Sequence, residues 1–313
     1  MQQINERVLV KRAEGVHVFR RGLRAVGVST FGPWCELSVE EQRLLVRAET
    51  PVSVGTLVRP PLRRADVMGM VGRLFGARLL ECNGVLRPHE GTHFKPAAPI
   101  HTISPEACQQ MIASGGGAVD VAEGAGARVC FVEASPDEIA TVADLLVAAA
   151  CVELTAVPVV RVGEPADFVR AFDVLAERGF RLFLVEPAPA RGDDEAIALA
   201  DGMLAMVDRG VEFARAHPAR FLLPGVESWL VRMRGVNVPF GQLGPRCERC
   251  AVRGWCRPDL EWPLGHETAG SPACAYVRRV FDGLLWRVID APDLPMLLGG
   301  WDEVEVPHDH RGK

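Results

Sequence analysis

The sequence predicts an α/β protein in three parts: a small N-terminal α+β unit, a middle section of alternating strands and helices, and a cysteine-rich C-terminal region. Three observations lead there. Short apolar clusters precede three helix signatures in the first 90 residues. From about residue 127 strand and helix patterns alternate. Four cysteines then fall between Cys247 and Cys274. The boundaries read as 1–90, a linker and irregular segment 91–126, a β/α section 127–240, and the cysteine-rich part 241–313.

Val8-Leu9-Val10, Val16-His17-Val18-Phe19 and Ala25-Val26-Gly27-Val28 read as three short strands. Ser38 with Glu41 forms the signature of a capping box, which opens a first helix with Leu44 and Leu45 inward. Pro51-Val52-Ser53 starts a second helix around Val54–Val58. The third runs from about Ala65 to Phe75, with Val67, Met70, Val71 and Leu74 at helical spacing. Leu79-Leu80 closes the unit. Residues 84–104, rich in Pro, Gly and His, read as a linker. Gly115-Gly116-Gly117 argues against one continuous element in 105–126.

Val129–Val132 is a strand, and Ser135-Pro136-Asp137-Glu138 caps the next helix. Strand Val157–Val162, helix Ala166–Arg178 ended by Gly179, and strand Phe180–Val185 follow. Such β-α-β-α-β order implies parallel strands joined by right-handed crossovers. Long helices are expected at about Asp194–Ala216 and Ala275–Val288.

Composition bounds the class. In 313 residues, 48% are hydrophobic and 24% charged, as in globular proteins, and no apolar run is long enough to span a membrane. The first residues lack the pattern of a signal peptide, so the expected compartment is the cytoplasm. A net charge of −5 disfavours a polyanion as partner for the whole chain. Nine cysteines, an odd number, in a reducing compartment argue against a disulfide framework.

Cys247, Cys250, Cys256 and Cys274 are spaced C-x2-C-x5-C-x17-C. Thiolates are soft donors that suit iron–sulfur clusters and zinc. Zinc sites usually pair two short knuckles. One knuckle followed by two single cysteines fits a [4Fe–4S] cluster better, with Zn2+ the alternative. Gly254 inside the x5 gap and Pro258 after Cys256 suit a tight loop, and Trp255 and Trp262 are placed to shield sulfurs. Cys35, Cys82, Cys108, Cys130 and Cys151 are isolated and read as small buried hydrophobes.

The run from Arg246 to Cys256 resembles the C-terminal SPASM-type region of radical SAM peptide maturases. The resemblance implies an auxiliary [4Fe–4S] cluster on the C-x2-C-x5-C core, with a last cysteine at the start of a C-terminal helix, where Cys274 stands. Where that family has a further cysteine, four residues after the third, this chain has Leu260, and upstream ligands are missing, so one cluster is implied. Residues 1–90 are similar to a PqqD-like leader-peptide recognition element, a pattern that winged-helix domains share. This implies binding of a precursor peptide as an added strand. The middle looks like the second half of a radical SAM barrel, hence a degenerate partial (β/α) barrel. The C-x3-C-x2-C triplet that such chemistry needs is absent from the sequence. The implied role is therefore to bind a precursor peptide, a partner maturation enzyme, or both, without radical SAM chemistry of its own.

Two alternatives stand beside it. One is an enzyme with an unrecognised active site in the β/α section. The other is a DNA-binding cluster protein. The N-terminal unit carries Arg20, Arg21, Arg24, Arg63 and Arg64. RecB-like nucleases share the cysteine spacing but need a Glu-x-Lys pair, and none of Lys11, Lys95 and Lys313 lies two residues after an acid. The remaining polar candidates have plainer readings. His89, His93 and His101 fall in the linker, His266 lies within the cysteine segment, and His308, Asp309 and His310 form a polar tail. Gly163-Glu164-Pro165 and Asp193-Asp194-Glu195 read as helix starts.

Overall fold

The structure is a computed structural model that describes residues 4–29, 34–86, 102–113, 122–124, 127–149, 154–223, 225–226, 229–230, 250–252 and 272–299. It is a mixed α/β protein. The chain divides into two compact units, Met1–Lys95 with Val231–Arg257, and Pro96–Leu230 with Pro258–Lys313.

The first unit holds two small antiparallel sheets and three helices. Strand β1 (Leu9–Arg12) lies between β5 (Val52–Ser53) and β6 (Leu80–Cys82). Strand β3 (Arg24–Val28) lies between β2 (His17–Arg21) and β4 (Cys35–Glu36). The β2–β3 hairpin turns on Gly22-Leu23. Gly22 has φ +60°, a conformation that a two-residue hairpin needs and a side chain resists. The three expected strands are present, but the first leaves the other two and pairs with later segments. Strands of two or three residues show no periodicity, so the sequence does not reveal β4, β5 and β6 as strands.

Helices α1 (Val39–Arg47), α2 (Val54–Leu57) and α3 (Arg64–Gly76) start and stop close to where the capping signals put them. Their apolar faces enclose Val10, Leu45, Val54, Val67, Val71, Leu74 and Leu79 in one core. Glu41 is the charged residue inside that unit, at 3% exposure. It accepts from the Ser38 backbone N–H at 2.8 Å, closing the capping box on α1. Its other bonds come from Arg73 of α3, through Nε at 2.7 Å and through Nη2. Arg73 also donates to the Glu36 carbonyl oxygen at 3.0 Å. One buried carboxylate thus ties α1, α3 and β4 together.

The second unit is built on a parallel sheet. Strands β7 (Thr102–Ile103), β9 (Ala127–Ala134), β10 (Leu154–Val162) and β11 (Leu184–Pro187) lie side by side in that order, all parallel. Strand β8 (Ala122–Gly124) forms a hairpin with β9. Leu222 adds a further parallel bridge beside Leu182. Helices α4 (Pro105–Ala113), α5 (Ile139–Ala149) and α6 (Pro165–Glu177) make the crossovers. Thr102–Ile103 and Pro105–Ala113, read from sequence as linker and ambiguous segment, are therefore the first strand and helix of this sheet. The strand expected at Phe180–Val185 is centred later, at Leu184–Pro187, where it pairs with Val159–Val162 of β10, and Leu182 before it makes only an isolated bridge to Leu222.

Strands that step in one direction with right-handed crossovers put their helices on one face. The packing agrees. Val132 and Ala134 of β9 contact Cys108 of α4 and Val142 and Leu146 of α5. Phe183 meets Phe172 of α6 at a ring separation of 5.7 Å. On the other face, Val157, Val159 and Leu184 cluster with Phe131 and Leu182.

Three more helices complete the unit: α7 (Asp193–Ala216), α8 (Pro272–Asp290) and α9 (Leu294–Leu298). Gly202 of α7 lies against the Pro165 backbone, and a Cβ there would overlap the Pro165 carbonyl oxygen. Arg279–Asp201 and Arg287–Asp208 pairs, both at 2.6 Å, link α8 to α7. They are largely exposed, so each adds little to stability.

Two substitutions test these packing arguments. Glu41→Gln leaves the guanidinium of Arg73 without its carboxylate and is expected to cost about 2 kcal/mol in chemical denaturation. Gly202→Ala forces the first turn of α6 away from α7 and is expected to cost about 1–3 kcal/mol. Unchanged midpoints would contradict both.

Candidate functional site

Side chains alternate across a strand, and paired residues of parallel strands share a face. The face of the β7–β11 sheet opposite the crossover helices is apolar over Phe131, Val157, Val159, Leu182 and Leu184. It ends in charge. Val159 pairs with Glu133 on one side and Leu184 on the other, and Arg161 pairs with Glu186. Arg161 and Glu186 are therefore level on adjacent strands, and Glu133 lies one same-face position earlier on β9, so the three charges form a diagonal group near the carboxyl ends of the strands. In parallel sheets that edge is where ligands bind, because loops leave the strands there.

Arg161 Nε lies 3.4 Å from Glu133 Oε1, with the two side chains 44% and 38% exposed. Among the described residues no other hydrogen bond or ion pair engages Arg161. Glu186 is more enclosed. Burial pushes its carboxyl above the ordinary range, the Arg161 charge pulls it down, and the Glu133 charge adds to the rise. Tyr276, in the second turn of α8, is buried. Burial pushes its phenol well above the usual value, and the Glu186 charge adds to that.

This group was not singled out from the sequence, although a signal exists. Val129-Cys130-Phe131-Val132-Glu133, Val157-Pro158-Val159-Val160-Arg161 and Phe183-Leu184-Val185-Glu186 each end an apolar strand on one charged residue. The phase of those charges shows only once the strands are paired.

The cysteines expected to hold a cluster are partly described. Cys250 is half-buried and precedes the turn at Ala251-Val252, whose Val252 side chain is buried. Cys274 is half-buried in the first turn of α8. That is the helix-start position the SPASM resemblance implies. Both are free thiols, not disulfides, and so available as soft donors. Cys247 and Cys256 lie outside the described residues, as do His89, His93, His101, His266, His308 and His310. Among the described residues no group of three His, Cys, Asp or Glu side chains is arranged to hold a metal ion.

Of the isolated cysteines, Cys82 and Cys108 are buried as expected and Cys35 is half-buried. Burial raises the Cys82 thiol above its usual value. The Gly163-Glu164-Pro165 segment opens α6 with Pro165 at its first position, and Asp193-Asp194-Glu195 opens α7, both as helix starts. No helix among the described residues is long and apolar enough to cross a membrane.

The first unit carries a groove of about 130 Å³ between α1 and the segment from α2 to α3. Leu44, Leu57, Leu62 and Val67 form its apolar floor, and Arg43, Arg47 and Arg59 line its rim with Glu40. Glu40 lies 3.9 Å from Arg43, and no ion pair engages Arg47 or Arg59 among the described residues.

Compared with known proteins, the chain matches no family model, no curated protein and no solved structure.

The Glu186 carboxyl gives a pH test. Its folded-state pKa is raised, so the folded chain keeps a proton that the unfolded chain releases above about pH 4.3. Stability from this group is greatest below that pH. It falls as pH rises through the folded-state value, then levels. Glu186→Gln mimics the protonated form. Its melting temperature is expected to match the wild type near pH 4 and to exceed it at neutral pH. A constant difference across that range would contradict the assignment.

Proposed function

We propose that this is an iron–sulfur protein, SPASM-like at its C-terminal cysteines, that acts in the maturation of a ribosomally made peptide. Cys247, Cys250, Cys256 and Cys274 supply the ligands of one [4Fe–4S] cluster. The observation that carries this reading is their C-x2-C-x5-C-x17-C spacing, with Cys274 in the first turn of a C-terminal helix. The free thiols of Cys250 and Cys274 are compatible with it. When bound, such a cluster supplies structural cross-linking or one-electron transfer to a partner enzyme.

The β/α unit supports the same reading as a degenerate partial barrel. Its parallel strands step in one direction, and α4 and α5 pack on one face, as a barrel segment requires. Without a C-x3-C-x2-C triplet in the chain, radical SAM chemistry is not assigned to it. The N-terminal unit is the precursor-peptide holder, PqqD-like in its strands and helices. Its arginine-rimmed groove fits a peptide with an apolar anchor flanked by acidic residues.

Two experiments test this. Anaerobic purification is expected to yield a brown protein with about four iron and four sulfide per chain. Cys250→Ala is expected to lose that metal and the stability of the C-terminal region. Colourless protein holding zinc would overturn the cluster. Fluorescence anisotropy with labelled precursor peptides encoded nearby tests the groove. Arg47→Glu combined with Arg59→Glu is expected to weaken binding about tenfold at unchanged melting temperature.

A further inference from the structure

We infer that the groove between α1 and the α2–α3 segment is also the seat of the chain's own residues Trp301-Asp302-Glu303-Val304-Glu305-Val306, which compete there with an incoming peptide. The inference rests on the reading of that groove as a peptide site and names how the site is regulated. Three features carry it: the charge of the groove, the surface a ligand meets there, and the sequence of the segment.

Arg43, Arg47 and Arg59 line the groove, and all three are exposed. Arg43 and Arg47 stand one helical turn apart on α1, and Arg59 belongs to the segment between α2 and α3. Among the described lining residues Glu40 is the one acid, at 3.9 Å from Arg43. Like charges gathered without a matching set of acids repel one another, and a ligand bearing carboxylates relieves that repulsion.

Leu44, Leu57 and Val67 belong to the core beneath the groove and are already buried. What a ligand can still cover is Pro60 and Pro61, which are exposed, and Leu62, which is half-buried. These residues border about 130 Å³ of open space. That is room for about one benzene-sized or branched aliphatic group. The groove therefore asks for a single apolar anchor with acids on both sides of it.

The segment has that pattern. Glu303 and Glu305 flank Val304, Asp302 adds a third carboxylate, and no basic residue follows before Arg311. The segment comes shortly after α9, which ends at Leu298, so each copy of the groove is accompanied by one copy of it. A peptide then binds only by displacing this competitor. Its apparent affinity is lowered by the fraction of grooves already filled. Weakly matching peptides are rejected on that account.

The test uses the full chain and one defined probe, a fluorescein-labelled peptide with the sequence of residues 300–310, read by anisotropy. Glu303→Gln, Val304→Ser and Glu305→Gln together disable the segment within the chain. The probe is expected to bind that variant saturably and the wild-type chain about fivefold more weakly. Adding Arg47→Gln and Arg59→Gln, at retained melting temperature, is expected to weaken the probe about tenfold. A probe carrying the same three substitutions as the disabled segment is expected to lose as much, and it decides alone if the arginine variant fails to fold. Four outcomes overturn the inference: no probe bound up to roughly 1 mM, equal binding of the substituted probe, undiminished binding in the folded arginine variant, or equal affinity for the wild-type chain and the chain with its segment disabled. A precursor peptide that binds the groove while the probe does not sinks this inference alone. A probe that binds where no precursor does overturns the precursor reading and supports the seat.

Discussion

The second unit is governed by the direction in which its parallel strands advance. Each strand is followed by a helix, and each new strand lies on the same side of the last. Because crossovers are right-handed, the connecting helices accumulate on one face. The opposite face then bears its own pattern, apolar where Val157, Val159 and Leu184 pack and charged where the strands end. The alternation of side chains along a strand carries that pattern across the sheet in register. A one-residue slip of β10 would send Arg161 to the helix side and put a valine beside Glu186.

Electrostatics in the two units work by different rules. In the first, Glu41 is sealed in the core, yet its oxygens are satisfied by Arg73 and the Ser38 backbone. Such a carboxylate is structural, since its donors leave little capacity for a ligand. In the second, Glu133 and Arg161 pair where both side chains are partly exposed, and Glu186 is more enclosed. A carboxyl whose pKa is shifted by burial and by neighbouring charges, as at Glu186, marks a candidate site. The contrast separates a fold determinant from a candidate site, although both are carboxylates beside arginines.

The proposed cysteine site and the charged strand ends of the sheet differ in chemistry. One relies on soft sulfur donors spaced along the sequence, the other on hard charges that the sheet gathers. The groove on the first unit, apolar below and basic at the rim, supplies a third surface, one suited to an extended acidic segment.

Local chemistry was legible from residues alone. Ser38 with Glu41, Ser53, Pro165 and Asp193 mark helix starts that the fold keeps, and the alternation of strands and helices after residue 127 does produce parallel pairing. These are interactions over three or four residues, or over one βαβ repeat, so sequence spacing encodes them directly. What the sequence left open is contact at long range. It did not show that β1 pairs with β5 and β6, that Thr102–Ile103 joins the parallel sheet, or that Glu41 meets Arg73. Nor did it show that Glu133, Arg161 and Glu186 share one face of the sheet near its strand ends. Those depend on register between strands far apart in the chain, and register is fixed by which apolar faces pack together, a property of the folded chain alone.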